Sequence, residues 1–247
     1  MNRGRRVIAA VGLALLLGGL AWTVTGLPAF GHYDHRYGAV AARSAVPLRS
    51  TVNAVNVTAF DYRGFDTLAE EFILFISVVG VVVLLRSLRE EEDQPAEQDE
   101  GGERRGSDLT RWLGAALVGP VAVLGAYVVT HGQLGPGGGF QGGIILAVAI
   151  ALLFVGGQYL ILLRLRAIST WIEVADSAGA AGFAMIGFGG LVGVGTFLYN
   201  FLPKGSSGLL TGGIIPLANL SVGIEVAGAL LMVFTELVDQ RLLSLHA

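Results

Sequence analysis

Long apolar stretches without charged residues recur along the chain, and most of them are close to 20 residues in length. An α-helix needs about 20 apolar residues to cross the roughly 30 Å hydrocarbon core of a bilayer. The stretches are unbroken and do not alternate, which favours helices over membrane-spanning strands. The pattern therefore predicts an all-α integral membrane protein with about six transmembrane helices. Their expected ranges are 7–27, 65–85, 112–130, 143–163, 178–199 and 214–235.

The first apolar stretch has a second interpretation. It follows Arg3, Arg5 and Arg6, so it resembles the charged and apolar regions of a secretory signal peptide, with cleavage after Ala29. The stretch is long for that role, and residues 27–29 are a poor small-residue cleavage site. We therefore expect it to remain as a helix.

The positions of Lys and Arg set the expected orientation, because these residues concentrate on the cytoplasmic side of membrane proteins. They are more frequent at 3–6, 86–111, 164–177 and 236–247 than in the other connecting segments, although the loop after the first helix is itself basic. We predict a multi-pass protein of the cell membrane with its N- and C-termini in the cytoplasm.

An acidic segment divides the chain. Eight of its 19 acidic residues fall between positions 90 and 103, together with Pro95 and two glycines. Such a segment cannot bury an apolar core, so we predict a disordered cytoplasmic linker at 89–107. It joins a two-helix module, 1–88, to a four-helix module, 108–247. We interpret the linker as a solvated tether, with an interaction tail as the alternative.

Composition and motifs argue against several classes of function. Only 14% of the residues are charged, against about 25% in a soluble domain. The chain has no cysteine, which excludes disulfides and thiolate chemistry. The sequence shows no metal motif, no phosphate-binding loop and no Ser/His/Asp set, so we expect neither an enzyme nor a bound cofactor. It also lacks the basic aromatic patch of a nucleic-acid-binding protein.

One acidic residue lies deep in a predicted span. Glu225 is near the middle of the last apolar stretch, between Ile224 and Val226. An ionisable group in hydrocarbon is costly, so it usually faces protein or water and marks an ion path. We interpret Glu225 as a residue that handles protons or cations. The alternative is a neutral or paired carboxyl at an interface between subunits.

Two further acids, Glu70 and Glu71, lie one turn into the second predicted span. Asp66 and Thr67 precede them and can cap the helix, where an acid also complements the helix dipole. Capping explains Asp66, but it explains two successive glutamates less well. Because they point about 100° apart on a helix of 3.6 residues per turn, at least one should face protein.

The remaining polar residues near spans carry weaker signals. Glu173 and Asp176 precede the fifth predicted span, and we expect both to be solvated at the membrane interface. We expect His32 and His35 to lie in a hydrated outer loop. His131 ends the third span and can relay protons, because its side-chain pKa normally falls near 7; an interfacial histidine is the alternative.

A glycine-rich loop joins the third and fourth spans. Seven of its 13 residues are glycine, which lets the backbone approach a neighbour closely. After His131, the notable positions are Pro136, Gly137, Gly138, Gly139, Phe140, Gly142 and Gly143. The pair Gly189 and Gly193 also has the spacing that permits close helix contacts in lipid.

These motifs resemble a known family. The loop from His131 to Gly143 is similar to the H-x-x-x-PGGGF-x-GG signature of the MnhB domain, which is the B component of Mrp-type multisubunit Na⁺/H⁺ antiporters. The resemblance covers about 110–240 and includes the stretch 224–228 in the last span. The segment 57–70 resembles the DFRGFDT-x-GE segment at the C-terminal end of the large A component. That alignment makes Glu70, and not Glu71, the family-matching acid.

The resemblance implies an accessory component of an antiporter that exchanges Na⁺ or other cations for H⁺, driven by the proton gradient. The chain's only lysine is Lys204, in a loop, so we do not expect a complete antiporter from this chain alone. Its partners would be the other Mrp subunits. We hypothesise that Glu70 and Glu225 line a polar route for protons and cations, with His131 and Asp66 as further candidates along it. Pro136 and Phe140 would pack at an entrance or at an interface between subunits.

Two alternatives to this function stay open. A purely structural scaffold predicts that loss of a glutamate impairs assembly and not transport. A membrane subunit of a related hydrogenase-type respiratory complex predicts redox subunits as partners.

Overall fold

The computed structural model describes residues 3–27, 36–91, 108–155, 169–205 and 208–244, and every regular element within them is helical. The helices are α1 (Arg3–Thr25), α2 (Arg36–Arg49), α3 (Ala54–Val57), α4 (Gly64–Glu91), α5 (Asp108–Thr130), α6 (Gly139–Val155), α7 (Ser169–Val194) and α8 (Ile215–Ser244). A π-helical turn, Thr58–Tyr62, connects α3 to the start of α4. The predicted all-α class is confirmed.

Four helices in these ranges are long and apolar enough to cross a membrane. The spanning parts are Gly64–Arg86 of α4, Asp108–Thr130 of α5, Ser169–Val194 of α7 and Ile215–Val238 of α8. Two shorter apolar helices, Ala10–Thr25 in α1 and Gly139–Leu153 in α6, fall within or beside the other two predicted spans. The chain is therefore a multi-pass membrane protein.

Three boundaries differ from the predicted ones. α7 begins at Ser169, nine residues before the predicted start at 178, so Glu173 and Asp176 belong to the helix. α6 begins at Gly139, inside the glycine-rich loop. α4 continues to Glu91, into the first residues of the predicted linker. The rest of that linker, the loop around His32 and His35 and the end of the fourth predicted span lie outside the described residues.

The chain forms two compact units, Met1–Ala39 and Val40–Ala247. In the second unit α8 is the central helix, because α4, α5, α6 and α7 all pack against it. Of the 18 most apolar consecutive residues of α8, 56% are buried, whereas only 17% are buried in the corresponding stretch of α5. The main apolar core combines α8 with α4, α7 and the segment around the π-helical turn, through residues Val57, Phe60, Leu68, Phe183, Ala218, Val222 and Val226.

The segment between α2 and α4 is held by polar contacts. Asp61 of the π-helical turn forms an ion pair with Arg49 of α2, and it accepts a hydrogen bond of 3.3 Å from Asn200 in the loop after α7. The guanidinium of Arg49 also lies over the ring of Tyr62, 5.5 Å from its centre. These contacts tie the entry to α4 to the loop that precedes α8.

Candidate functional site

α4 presents one buried stripe to its neighbours. Thr67, Glu71, Val78 and Val82 are buried, and their spacing of four or seven residues places them on one side of the helix. Glu71 lies on this stripe and is 4% exposed. Glu70 is one position away, about 100° round the helix, and it is exposed on the outer face.

Glu225 lies in the middle of α8 and is fully buried. Its carboxyl group is close enough to that of Glu71 for a hydrogen bond between them. Neither carboxylate has a hydrogen to donate, so such a bond requires one proton shared by the pair. The structure therefore joins Glu71 and Glu225 into one carboxyl pair between α4 and α8.

Asp176 of α7 is the third member of this group. It is 1% exposed and contributes electrostatic repulsion to both Glu71 and Glu225, which places it beside the pair. We call Glu71, Asp176 and Glu225 the carboxyl cluster. The expectation that Asp176 is solvated at the membrane interface is wrong, because α7 starts earlier and turns this residue towards α8.

Glycines allow the close approach of the helices at the carboxyl cluster. A Cβ atom at Gly179 of α7 would lie 2.5 Å from the Cβ atom of Glu225. A Cβ atom at Gly228 of α8 would lie 2.8 Å from the backbone nitrogen of Asp176. Each acid thus lies against a glycine of the other helix, and the two helices run antiparallel at this contact.

The carboxyl cluster is short of hydrogen-bond donors. In the described part of the chain, no N–H or hydroxyl group donates to either oxygen of Glu225, to Oε2 of Glu71 or to Oδ1 of Asp176. A buried polar atom without a partner is costly and calls for a proton, an ion or water. Among the described residues, no three His, Asp or Glu side chains are placed to hold one metal ion together.

A second polar group lies at the other end of the α4–α8 contact. Arg86 of α4 donates to Glu173 of α7 and to Glu236 of α8, each at 2.7 Å. The side chain of Glu236 is 9% exposed, whereas those of Arg86 and Glu173 are about 40% exposed. A small cleft opens beside these residues, and its lining includes Arg86, Ser169, Ile172, Glu173, Thr235 and Glu236. We call it the Arg86 cleft.

The glycine-rich loop packs between α5, α8 and the turn before α4. Asn219 of α8 accepts a hydrogen bond of 2.8 Å from the backbone N–H of Gly139. A Cβ atom at Gly139 would overlap the carbonyl oxygen of Asn219, so only glycine fits this approach. Asn53 donates to the carbonyl groups of Gly132 and Gly135, each at 2.8 Å. The loop is thereby fixed at both of its ends.

The other predicted site residues lie outside the carboxyl cluster. Asp66 forms an exposed ion pair with Arg63, three residues earlier, at 2.5 Å. His131 stacks on Tyr127 with ring centres 4.1 Å apart. In the loop, Pro136 and Phe140 are exposed, whereas Gly138, Gly139, Gly142 and Gly143 are buried; Gly137 has a positive φ of 156° and is half-buried.

Sequence reasoning placed Glu225 in the interior but did not select Glu71 or Asp176. A signal for Asp176 exists in the spacing of Ile172, Asp176, Gly179, Ala180, Phe183, Gly187 and Gly190, all of which are buried. Small residues three and four apart mark a contact face in a membrane helix. Asp176 lies on that face.

Comparison with known proteins matches two families along the chain. Residues 109–232 match the domain related to the MnhB subunit of Na⁺/H⁺ antiporters. Residues 1–100 match the MbhE family, described as a component of MBH. The first match covers half of the chain and includes the glycine-rich loop, Asp176 and Glu225.

Two curated relatives are similar to this chain. An uncharacterised protein of Methanocaldococcus jannaschii is 29% identical over 197 residues, which cover 72% of this chain and 74% of that protein. A probable K⁺/H⁺ antiporter protein of Rhizobium meliloti, which combines the A and B components, is 30% identical over 126 residues. That match covers 42% of this chain and 12% of the much longer relative.

Two solved structures share the fold. A chain of the membrane-bound sulfane sulfur reductase, an archaeal respiratory membrane complex, superimposes with a TM-score of 0.66 at 27% identity, over 94% of this chain and 97% of that one. A chain of the Mrp complex from Dietzia sp. gives a TM-score of 0.65 at 22% identity. This match covers 96% of this chain and 26% of that one. Both structures are multisubunit membrane complexes.

Proposed function

Because the chain belongs to the family of domains related to the MnhB subunit of Na⁺/H⁺ antiporters, we propose that it is an accessory membrane component of a multisubunit cation/proton antiporter. It works with other subunits in a hetero-oligomer and serves transport, not enzymatic catalysis. The transported ions are H⁺ and a monovalent cation, Na⁺ or K⁺. The proton gradient drives the exchange.

The observation that carries this proposal is the carboxyl pair of Glu71 and Glu225. Both residues lie in membrane-spanning helices, and both are at least 96% buried. Ionisable groups at such positions are costly and mark ion or proton pathways. An apolar or amide side chain would fill the same space at lower cost, so stability alone gives no reason for two acids in contact.

The pair suits exchange between a proton and a cation. With one proton, the two carboxyl groups hydrogen-bond to each other and neutralise one charge. Without it, their oxygens are the ligand type that hard cations prefer, a rule established for Ca²⁺ and Mg²⁺ that we extend to Na⁺. In our proposal, arrival of a cation displaces the shared proton, and arrival of a proton displaces the cation.

Glu70 has a different place in this proposal. It is exposed on the outer face of α4, within the membrane-spanning part of the helix. Lipid is a poor environment for a carboxylate, so a polar surface of another protein in the complex or a water-filled passage covers it. Glu71, and not the family-matching Glu70, has the interior position beside Glu225.

The chain has its N- and C-termini in the cytoplasm in this proposal. The distribution of Lys and Arg along the sequence supports that orientation. It places the Arg86 cleft on the cytoplasmic side, and the glycine-rich loop with His131 on the outer side.

The test uses inverted membrane vesicles that carry the whole complex. Addition of NaCl or KCl should collapse an imposed pH gradient with the wild-type chain, and Glu71→Gln or Glu225→Gln should remove that response. Asp108→Asn, which neutralises an exposed acid at the start of α5, is the matched control and should leave the response intact. Native gels report assembly.

Each outcome of this test has one meaning. Lost exchange with normal assembly supports an ion route through this chain. Unchanged exchange in both glutamine variants contradicts it. Lost assembly with full exchange per assembled complex identifies the chain as a scaffold.

A role in the membrane arm of a respiratory complex is the second candidate function. Its specific support is the end-to-end structural match, over 97% of a chain of the sulfane sulfur reductase complex, together with the N-terminal match to the MbhE family. Purification of the complex through a tag on this chain separates the two functions. Iron–sulfur absorbance in the purified complex favours the respiratory assembly, and its absence favours the antiporter.

A further inference from the structure

The direct line between the Arg86 cleft and the carboxyl pair is apolar. Along the contact of α4 with α8, it is filled by the buried residues Val78, Val82 and Ala229, with Leu74, Met232 and Val233 packed against them. A proton or hydrated ion has no partner in such a layer, and the cost of crossing it is high. A route from the cleft to the pair therefore needs a polar group from another helix.

α7 supplies that polar group, Asp176, at a position between the cleft and the carboxyl pair. Asp176 lies one turn after Glu173, whose carboxylate binds Arg86 at the cleft. Its backbone also contacts Gly228, one turn beyond Glu225 on α8. At 1.5 Å per residue, Asp176 is thus about 4.5 Å along the helix axis from Glu173 at the cleft. It is also about 4.5 Å along the axis from Glu225 of the carboxyl pair.

The side chain of Asp176 is also free to take part. It is 1% exposed, and within the described chain no donor reaches its Oδ1 atom. The ionisable groups that face it are Glu71 from α4 and Glu225 from α8, both of which repel its negative charge. Binding a proton relieves this repulsion, so a carboxylate in this position can accept a proton from the neighbouring pair.

We propose that Asp176 carries protons between the Arg86 cleft and the Glu71–Glu225 pair. This inference rests on the proposed function, because it extends the route of the same carboxyl pair towards the cytoplasm. Arg86 holds Glu173 and Glu236 at the sides of the cleft, which keeps their charges paired and the entrance open to water.

The transfer has two balanced steps. Protonated Glu225 gives its proton to the carboxylate of Asp176, so that one O–H bond breaks in the donor and one forms on Asp176. The protonated Asp176 then gives this proton to a water molecule in the cleft, which becomes a hydronium ion, and Asp176 returns to its charged form. No electron transfer or further reactant is needed.

The experiment compares three substitutions in the whole complex, with rates taken per assembled complex. Asp176→Asn keeps the shape and removes the exchangeable proton, so cation-dependent proton movement should fall at least about a hundredfold, the lower end of the range for lost proton-transfer groups. Asp176→Glu keeps the carboxyl group and should retain most of the rate. Asp176→Ala leaves space for formate, which should restore proton movement when added at millimolar concentration.

Parallel measurement of Glu225→Gln separates this inference from the proposed function. Loss of exchange in Glu225→Gln with a full rate in Asp176→Asn overturns the role of Asp176 and leaves the proposed function standing. Full exchange in Glu225→Gln overturns both. A loss in Asp176→Asn that neither Asp176→Glu nor formate restores shows a packing role and also overturns the inference.

Discussion

Gly179 and Glu225 lie backbone to backbone at the contact of α7 with α8. A Cβ atom at Gly179 would be 2.5 Å from both the Cβ atom and the backbone nitrogen of Glu225. Such distances leave no space for any side chain at position 179. The position of the Glu225 carboxyl therefore depends on a residue that has no functional group.

Substitution of Gly179 should displace α7 from α8. We expect Gly179→Ala to lower the stability of the purified complex by about 1–3 kcal/mol, the usual cost of overpacking a tight contact. Gly193→Ala is the matched control, because its Cβ atom would meet Phe201 only at 3.9 Å, an ordinary contact distance. Thermal unfolding in detergent measures both, and equal stability of the two variants would contradict the tight contact.

The ion pairs of Arg86 should hold α4, α7 and α8 together at the cleft. Arg86→Gln removes the ion pairs of Arg86 with the nearly buried Glu236 and with Glu173, and we expect a loss of about 1–2 kcal/mol because the rest of the network is exposed. Arg86→Lys keeps the charge but loses the planar guanidinium that donates to two carboxylates at once, so it should recover only part of that stability loss. Thermal unfolding at low and high salt checks this prediction; a stability of Arg86→Gln equal to the wild type would refute it.

The bond from Gly139 to Asn219 should fix the start of α6. Asn219→Ala leaves a buried backbone N–H group without an acceptor, which costs about 1–3 kcal/mol. Hydrogen exchange of residues 132–143 should become faster in this variant. Ser77→Ala is the control, since within the described residues the exposed Ser77 hydroxyl bonds only to Ile73 of its own helix. Unchanged protection in Asn219→Ala would show that the loop is held by other contacts.

The absence of cysteine makes the orientation directly measurable. A single cysteine can be placed at Asp108, before α5, or at Leu210, in the loop before α8. With cytoplasmic termini, a membrane-impermeant maleimide should label Leu210→Cys in intact cells and Asp108→Cys only after permeabilisation. The reverse pattern of labelling would invert the orientation and place the Arg86 cleft outside.

The elements of this fold follow from the sequence because apolar length alone decides where a helix can cross a bilayer. The choice between Glu70 and Glu71 did not follow in the same way. α4 is apolar on all sides, so no contrast of polar and apolar residues marks its inner face. Sequence resemblance favoured Glu70, whereas the contact with α8 places Glu71 in the interior.

Asp176 shows a second limit of sequence reasoning. A charged residue at the end of an apolar stretch is interpreted as interfacial, because membrane spans are recognised by the absence of charge. Its burial depends on Gly228, which lies 52 positions later in the chain and touches Asp176 only in the folded protein. The glycine-rich loop was easier to recognise, since its unusual composition lies within a single short segment.

The carboxyl pair is the central claim of this account, and a double-mutant cycle of ion exchange tests it most directly. Exchange rates are measured in inverted vesicles with Glu71→Gln, Glu225→Gln and the double variant, with Asp108→Asn as control and native gels for assembly. Residues that act as one unit give strongly non-additive losses. We predict that each single variant loses exchange and that the double variant is no worse than either one. Full exchange in both single variants, with normal assembly, would contradict the account.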